Sequence, residues 1–191
     1  PIVVTGGGVL YSEGGTAALK SFVEKHGIPV GESHAGKGAL AWDHPLLSGS
    51  IGVTGSTASN ALAVDADVVI AVGTRLQDFT TGSHALYSQA KLVSINVTPF
   101  DAVKWGGVSV HADAAVALDA LSQALGSWRS DAAWHEKALS LNKQWRDTVS
   151  EIVVSSRAAL PTYGEVTGAV QASSPDSCAN DIAVCAAGTW P

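Results

Sequence analysis

Two short, almost wholly apolar segments constrain the fold of this chain more than any other feature. Asp67 to Val72 and Leu92 to Val97 each consist mainly of branched aliphatic residues. This pattern is typical of strands that are covered on both faces, as in parallel sheets. Parallel strands need crossover connections, and these are usually helices. The sequence therefore predicts an α/β protein with a three-layer, doubly wound parallel sheet.

Other segments fit the same alternation of strands and helices. Further strands are predicted at Ile2 to Thr5, Ile28 to Glu32 and Val108 to His111. Apolar residues at helical spacing predict helices over Glu13 to His26, from Ser56 or Thr57 to about Val64, and over Ala114 to Leu125. Residues 33–55 are rich in Gly, Ser, His and Pro and show little periodicity. They are predicted to form one long loop, and loops of this length in a compact domain are usually either functional or disordered.

The chain is expected to contain three regions. Residues 1–128 are predicted to form the sheet domain, and 129–159 a connector built on a long amphipathic helix from Asp131 to Arg157. Residues 160–191 are predicted to be the truncated start of another domain, with a helix at Tyr163 to Ala172 and a strand and turn at Asp181 to Gly188. No Met occurs in the chain. We therefore expect a piece of a longer polypeptide.

Composition excludes several classes of partner. The net charge is −6 and basic residues are not clustered, so nucleic acid is not an expected partner. No apolar stretch is long enough to span a membrane and no signal peptide is recognisable, so a cytoplasmic protein without membrane contact is expected. Cys178 and Cys185 form no CxxC pair, and we expect them to be reduced.

The glycine run after the first strand is a candidate nucleotide site. Gly6, Gly7 and Gly8 would let a backbone approach a pyrophosphate, but Tyr11 stands where the full dinucleotide fingerprint has its third glycine. Glu32, at the end of the second strand, would then hold a ribose. The alternative is a tight turn between strand and helix.

The loop after the buried strand is a second candidate site. Arg75 follows this strand closely and is placed to clamp a phosphate with two hydrogen bonds. The alternative is an ion pair with Asp78 or Asp101.

Other chemistry finds little support in the sequence. His34 and His44 share the long loop with Asp43, but none of the histidines is spaced as metal ligands are, and no metal site is predicted. No GxSxG elbow supports a serine nucleophile. The NAD-dependent deacylases have a fold related to the one predicted here. They usually carry a zinc module with paired CxxC motifs, which this chain lacks.

Several of these motifs together resemble one family. They are GESHAGKG at 31–38, WDHPL at 42–46, GSIGVTG at 49–55 and GTRLQDFTTGS at 73–83. These motifs are similar to those in the central domain of thiamine diphosphate-dependent enzymes. More narrowly, it resembles the members that hydrolyse a carbon–carbon bond of a cyclic diketone in inositol catabolism. Residues 160–162 and 184–188 resemble the start of the C-terminal domain of the same enzymes.

The resemblance implies a Rossmann-like fold and a cofactor pocket. In the related acetohydroxyacid synthases this domain binds FAD, so FAD or ADP is the implied ligand. The matching positions are Gly6, Gly7, Gly8, Ser33, His34, Gly52, Val53, Thr54, Gly55, Gly73, Thr74, Arg75, Asp78, Asn96, Val97 and Asp113. Two positions depart from the family pattern: Asn96 replaces an acidic residue and Phe79 replaces a basic one.

The resemblance also implies what lies outside this chain. The family's catalytic glutamate belongs to the N-terminal domain, and the motif for magnesium and thiamine diphosphate belongs to the C-terminal domain. No catalytic residue is therefore expected here, and the chain alone is expected to be inert. The full-length enzyme would act on a small-molecule substrate as a homodimer or homotetramer. The alternatives are an FAD- or ADP-binding module and a scaffold domain of an acetohydroxyacid synthase-like enzyme.

Overall fold

The computed structural model describes residues 1–154, 156 and 159–174. Its strands are β1 (Ile2–Thr5), β2 (Val30–Glu32), β3 (Leu47–Ser50), β4 (Val68–Val72), β5 (Lys91–Asn96) and β6 (Val108–His111). Its helices are α1 (Gly7–Tyr11), α2 (Gly15–His26), α3 (Thr57–Asp65), α4 (Asp78–Thr81), α5 (Pro99–Val103), α6 (Ala114–Leu125), α7 (Ala132–Ile152) and α8 (Tyr163–Ser173).

The six strands form one sheet in the order β3-β2-β1-β4-β5-β6, and every pairing is parallel. The predicted α/β fold with a doubly wound parallel sheet is confirmed. The strand order reverses between β1 and β4. In open α/β sheets, ligands bind outside the carboxyl ends of the strands at such a reversal.

Both faces of the sheet are covered because alternate side chains of each strand point to opposite sides. Val3 of β1 belongs to an apolar cluster that α2 and α6 cover, whereas Ile2 and Val4 belong to a second cluster with Leu62 of α3 and Ala138 of α7. All five side chains are fully buried. The continuous apolar strands that indicated a parallel sheet are explained by these two cores.

The prediction of one long loop over residues 33–55 is wrong in part, because β3 lies within it. This strand has the sequence LSGS and pairs only with β2, at the edge of the sheet. An edge strand with few apolar residues gives no periodic signal. The helix α1 was also missed, since it begins in the glycine run and has only five residues.

The described residues belong to two compact units, one of Pro1–Trp145 and one of the described residues from Arg146 onward. In the second unit, α8 starts with a capping box in which the Thr162 hydroxyl accepts from the Glu165 amide and the Glu165 carboxylate accepts from the Thr162 amide. The region boundaries at 128 and 159 stay predictions. The predicted strand at Asp181 to Gly188, and both cysteines, lie outside the described residues. In the described part of the chain, no helix combines the length and apolarity that a membrane span requires.

Candidate functional site

A cleft of about 370 Å³ lies at the carboxyl ends of the strands, where the strand order reverses. This volume is within the range of about 300–1,000 Å³ that small-molecule sites occupy. The residues that follow β1, β2, β4 and β5 supply most of the lining. It consists of Gly7, Gly8, Ser33, His34, Ala35, Gly73, Thr74, Arg75, Leu76, Gln77, Phe79, Thr80, Asn96, Val97, Thr98 and Asp101.

The floor of the cleft is a close crossing of two backbone segments. The Gly6 amide donates to Val72 O and the Gly8 amide donates to Gly73 O, both at 2.9 Å. A Cβ on Gly6 would lie 2.3 Å from Gly73 O, and one on Gly8 would lie 2.7 Å from Gly73 Cα. Glycine is therefore required here by the contact between the segments. The amides of Gly6 and Gly8 already have acceptors within the protein.

The segment after β4 is held in an uncommon conformation. Leu76 is buried and has φ 45°, in the left-handed region that bulky residues rarely adopt. Its amide donates to Thr74 Oγ1 at 3.2 Å, and its carbonyl accepts from Trp105 Nε1 at 2.9 Å. These two bonds fix the direction in which the following residues leave the sheet. The contribution of Trp105 was not predicted, because nothing in the sequence connects it to a loop 29 positions earlier.

Asn96 joins two sides of the cleft. Its Nδ2 donates to Thr74 O at 3.1 Å, and its Oδ1 accepts from the Thr98 amide at 3.0 Å. The residue is 7% exposed. Asn96 thus connects the segment after β4 with the segment after β5, and both ends of its side-chain amide are occupied.

Arg75 is the exposed cation of the cleft. In the part of the chain that the structure describes, it forms no ion pair with Asp78 or Asp101; Asp101 instead pairs with Lys104 at 2.9 Å. The predicted alternative for Arg75, an internal ion pair, is therefore wrong. Its guanidinium is available to an anion.

One wall of the cleft is aromatic. The rings of His34 and Phe79 are 5.8 Å apart and tilted by 55°. Phe79 is 51% exposed, which is high for a ring of this size. The ring stands where the resemblance implies a basic residue, so this wall offers an apolar surface.

The loop at Gly52 contacts a residue of the cleft lining but does not line the cleft itself. Asn60 accepts from the Gly52 amide at 3.0 Å and donates to its carbonyl at 2.9 Å, and the Val53 amide donates to Phe79 O at 2.8 Å. Gly55 lies close to the same asparagine. Thr54 is exposed, outside the cleft lining.

Two predicted acidic residues also lie outside the lining. Asp78 is the first residue of α4. Asp113 caps α6, accepting from the amides of Ala115 and Val116, and it also accepts from the Ser12 hydroxyl at 2.7 Å. That hydroxyl, the largest cause, lowers the pKa of Asp113 below its ordinary value. The binding roles predicted for these residues stay predictions.

Glu32 does not face the cleft, although the sequence suggested a role in holding a ribose. Its side chain is 3% exposed, and Oε1 accepts from the Gly38 amide at 3.0 Å. Burial raises the pKa of Glu32 above its ordinary value of 4.5, while the Gly38 hydrogen bond and the charge of Lys37 oppose the shift. Glu32 therefore holds the segment between β2 and β3 at Gly38.

This raised pKa gives a prediction about stability and pH. A carboxyl whose pKa is higher in the folded protein favours folding below the unfolded pKa, and that contribution is lost as pH rises through the folded pKa. Glu32→Gln should therefore gain stability relative to wild type as pH rises above about 4.5. Urea denaturation across this range measures the difference, with Glu13→Gln on an exposed side chain as control. A difference that stays constant or shrinks with pH would contradict the assignment.

The histidines considered as metal ligands have other contacts. His44 is buried, its Nε2 lies 3.1 Å from Glu24 Oε1, and its Nδ1 accepts from the Leu46 amide. His34 contacts Phe79 in the cleft wall. Across the described residues, no three His, Cys, Asp or Glu side chains gather as metal ligands would.

The strand order and this cleft define an α/β domain of the kind that binds ligands at the edge of its sheet. The chain belongs to the thiamine pyrophosphate enzyme family: the model for the central domain of these enzymes matches residues 1–121. Every predicted site residue, from Gly6 to Asp113, lies within the matched part.

Two relatives that carry the same enzyme name are similar to much of this chain. The 3D-(3,5/4)-trihydroxycyclohexane-1,2-dione hydrolase of Geobacillus thermodenitrificans is 50% identical over 130 residues, which are 68% of this chain and 20% of that protein. The protein of the same name from Clostridium perfringens is 38% identical over 154 residues, 80% of this chain and 24% of that protein. The chain therefore spans only a fifth to a quarter of the length of these relatives.

Several groups that the resemblance implies as FAD or ADP ligands already form hydrogen bonds within the protein. The side chain of Asn96 and the amides of Gly6 and Gly8 bond within the protein. In the described residues, the buried side-chain atoms without a hydrogen-bond partner all lie outside the lining. Arg75 remains exposed at the cleft, where a phosphate would meet its charge.

Proposed function

We propose that the protein to which this chain belongs is a thiamine diphosphate-dependent hydrolase that opens the ring of a trihydroxycyclohexane-1,2-dione. The observation that carries this proposal is the 50% identity over 130 residues to a hydrolase named for that substrate. We place the reaction in myo-inositol catabolism, in the cytoplasm. The substrate is a small molecule, and neither nucleic acid nor membrane takes part.

The proposed role of this domain is structural. When bound, thiamine diphosphate supplies a stabilised carbanion for cleaving the carbon–carbon bond. We propose that this cofactor and magnesium bind to other domains of the full-length protein, arranged as a homodimer or homotetramer. The parallel sheet, buried on both faces, provides a rigid body to which those domains attach. The chain by itself is proposed to be inactive.

The test is turnover by the full-length protein. With thiamine diphosphate, magnesium and the cyclic dione, we expect ring opening. It is measured as the loss of the dione and the appearance of an acid. Omitting thiamine diphosphate should abolish the reaction, and the isolated chain should show none. A folded full-length protein that binds thiamine diphosphate but leaves the dione unchanged would refute the assignment.

An FAD- or ADP-binding domain of an acetohydroxyacid synthase-like enzyme is the second candidate. One observation favours it: Arg75 is exposed at a cleft of suitable volume and has no ion pair with Asp78 or Asp101 in the described residues. This candidate predicts that FAD or ADP stabilises the folded protein, because a ligand that binds only the folded state shifts its equilibrium. It also predicts condensation of 2-oxo acids in place of dione hydrolysis.

A further inference from the structure

The side-chain amide of Asn96 connects parts of the chain that are far apart in sequence. Thr74 O, which accepts from its Nδ2, lies 22 positions earlier, after β4. The Thr98 amide, which donates to its Oδ1, lies after β5. The two bonds need a group that both donates and accepts over one short side chain, and the asparagine amide is such a group.

The acidic residue that the family resemblance implies at this position would be unable to make both contacts. A carboxylate only accepts hydrogen bonds. It would bond the Thr98 amide, but its other oxygen would face Thr74 O with no hydrogen between them. Asn96 therefore makes a link between the two segments that an aspartate would break.

Neighbouring polar groups at the cleft also form hydrogen bonds within the protein. Gly73 O accepts from the Gly8 amide, Leu76 O accepts from Trp105 Nε1, and Thr74 Oγ1 accepts from the Leu76 amide. Together with the Asn96 contacts, these bonds connect the segments after β1, β4 and β5 to each other.

We propose that Asn96 is an internal clamp that holds the sides of the cleft together in place of a nucleotide, so that the domain keeps its form without FAD or ADP. The clamp is a positioning device for the segments at 73–77 and 96–101. It does not depend on the activity proposed for the full-length protein, and its test uses no substrate.

Hydrogen exchange with mass spectrometry tests the clamp in the full-length protein. In Asn96→Ala, peptides covering 73–77 and 96–101 should exchange at least about 10-fold faster than in wild type, because both buried bonds are lost. In Asn96→Asp the same increase is expected at 73–77, while the carboxylate still accepts from the Thr98 amide. Peptides from α6 should be unchanged. Gln123→Glu, which adds the same charge on the exposed surface of α6, should behave as wild type throughout.

Binding of FAD or ADP is tested on the wild-type protein in two ways, by flavin absorbance and by hydrogen exchange. We expect no flavin absorbance after denaturing the purified protein, and no slowing of exchange at 73–77 or 96–101 with saturating FAD or ADP. Slowing by either nucleotide, or wild-type exchange in the Asn96 variants, would overturn the proposal. If Asn96→Asp does not fold, Asn96→Ser takes its place, since its hydroxyl can replace only part of the two contacts.

Discussion

Gly73→Ala is expected to destabilise the chain by about 3 kcal/mol, because the new methyl group meets backbone atoms that cannot move aside. Gly73 has φ +60°, and its Cβ would lie 2.7 Å from Gly8 Cα and 2.8 Å from the Val9 nitrogen. The change therefore adds a steric conflict to a left-handed conformation. Urea denaturation monitored by circular dichroism measures the loss.

Gly14→Ala is the matched control. Gly14 also has positive φ, +72°, but a Cβ there would have nothing within 4 Å. Only the conformational penalty applies, so a loss of about 1 kcal/mol is expected. Equal losses for the two variants would show that the crossing of the two segments is not tight, and the description of the cleft floor would then be wrong.

His26→Ala is expected to cost about 3 kcal/mol, since it leaves a cavity and removes a buried hydrogen bond. The imidazole is fully buried, with Nδ1 2.6 Å from Trp128 O and Nε2 3.1 Å from Ser122 Oγ. A carbonyl oxygen only accepts, so Nδ1 carries the hydrogen in this contact. The ring thereby ties the end of α2 to the end of α6 and the turn that follows it.

Lys20→Ala on the exposed side of the same helix controls for a change in helix propensity, and it should alter stability by no more than about 0.5 kcal/mol. The free energy of unfolding from urea titration compares the two. A histidine that acts only as a basic residue at a helix C-terminus, which is how the sequence alone reads at His26, would contribute about 0.5 kcal/mol. A loss of that size would contradict the buried position.

The sequence predicted most of the sheet because its signal is local. The apolar segments of β4 and β5, and the strand β6 at Val108 to His111, were located from composition within a few residues. The start of α3 was also predicted at Ser56 or Thr57, and the Ser56 hydroxyl caps this helix by accepting from the Ser59 amide. Such features depend on neighbours along the chain, which a pattern can reveal.

Contacts between distant segments could not be predicted in this way. The roles of Asn96 and Trp105 depend on partners 22 and 29 positions away. For Gly6 and Gly8 the sequence left two explanations open, approach to a pyrophosphate or a tight turn, and Gly73 was assigned only from the family resemblance. Their reason in the structure is the crossing of two backbone segments. Because the glycine pattern fits both a ligand and a backbone crossing, only the structure distinguishes the two explanations.

The place of β1 in the sheet has a consequence for how the chain folds during synthesis. This strand comes first in the chain, yet it lies between β2 and β4 in the middle of the sheet. Its second neighbour, Val68–Val72, is made only after more than sixty further residues. At about 5–20 residues per second, β1 waits several seconds with one side unpaired. Pairings between segments so far apart are slow to form, so the backbone N–H and C=O groups on one side of β1 stay without strand partners for that time.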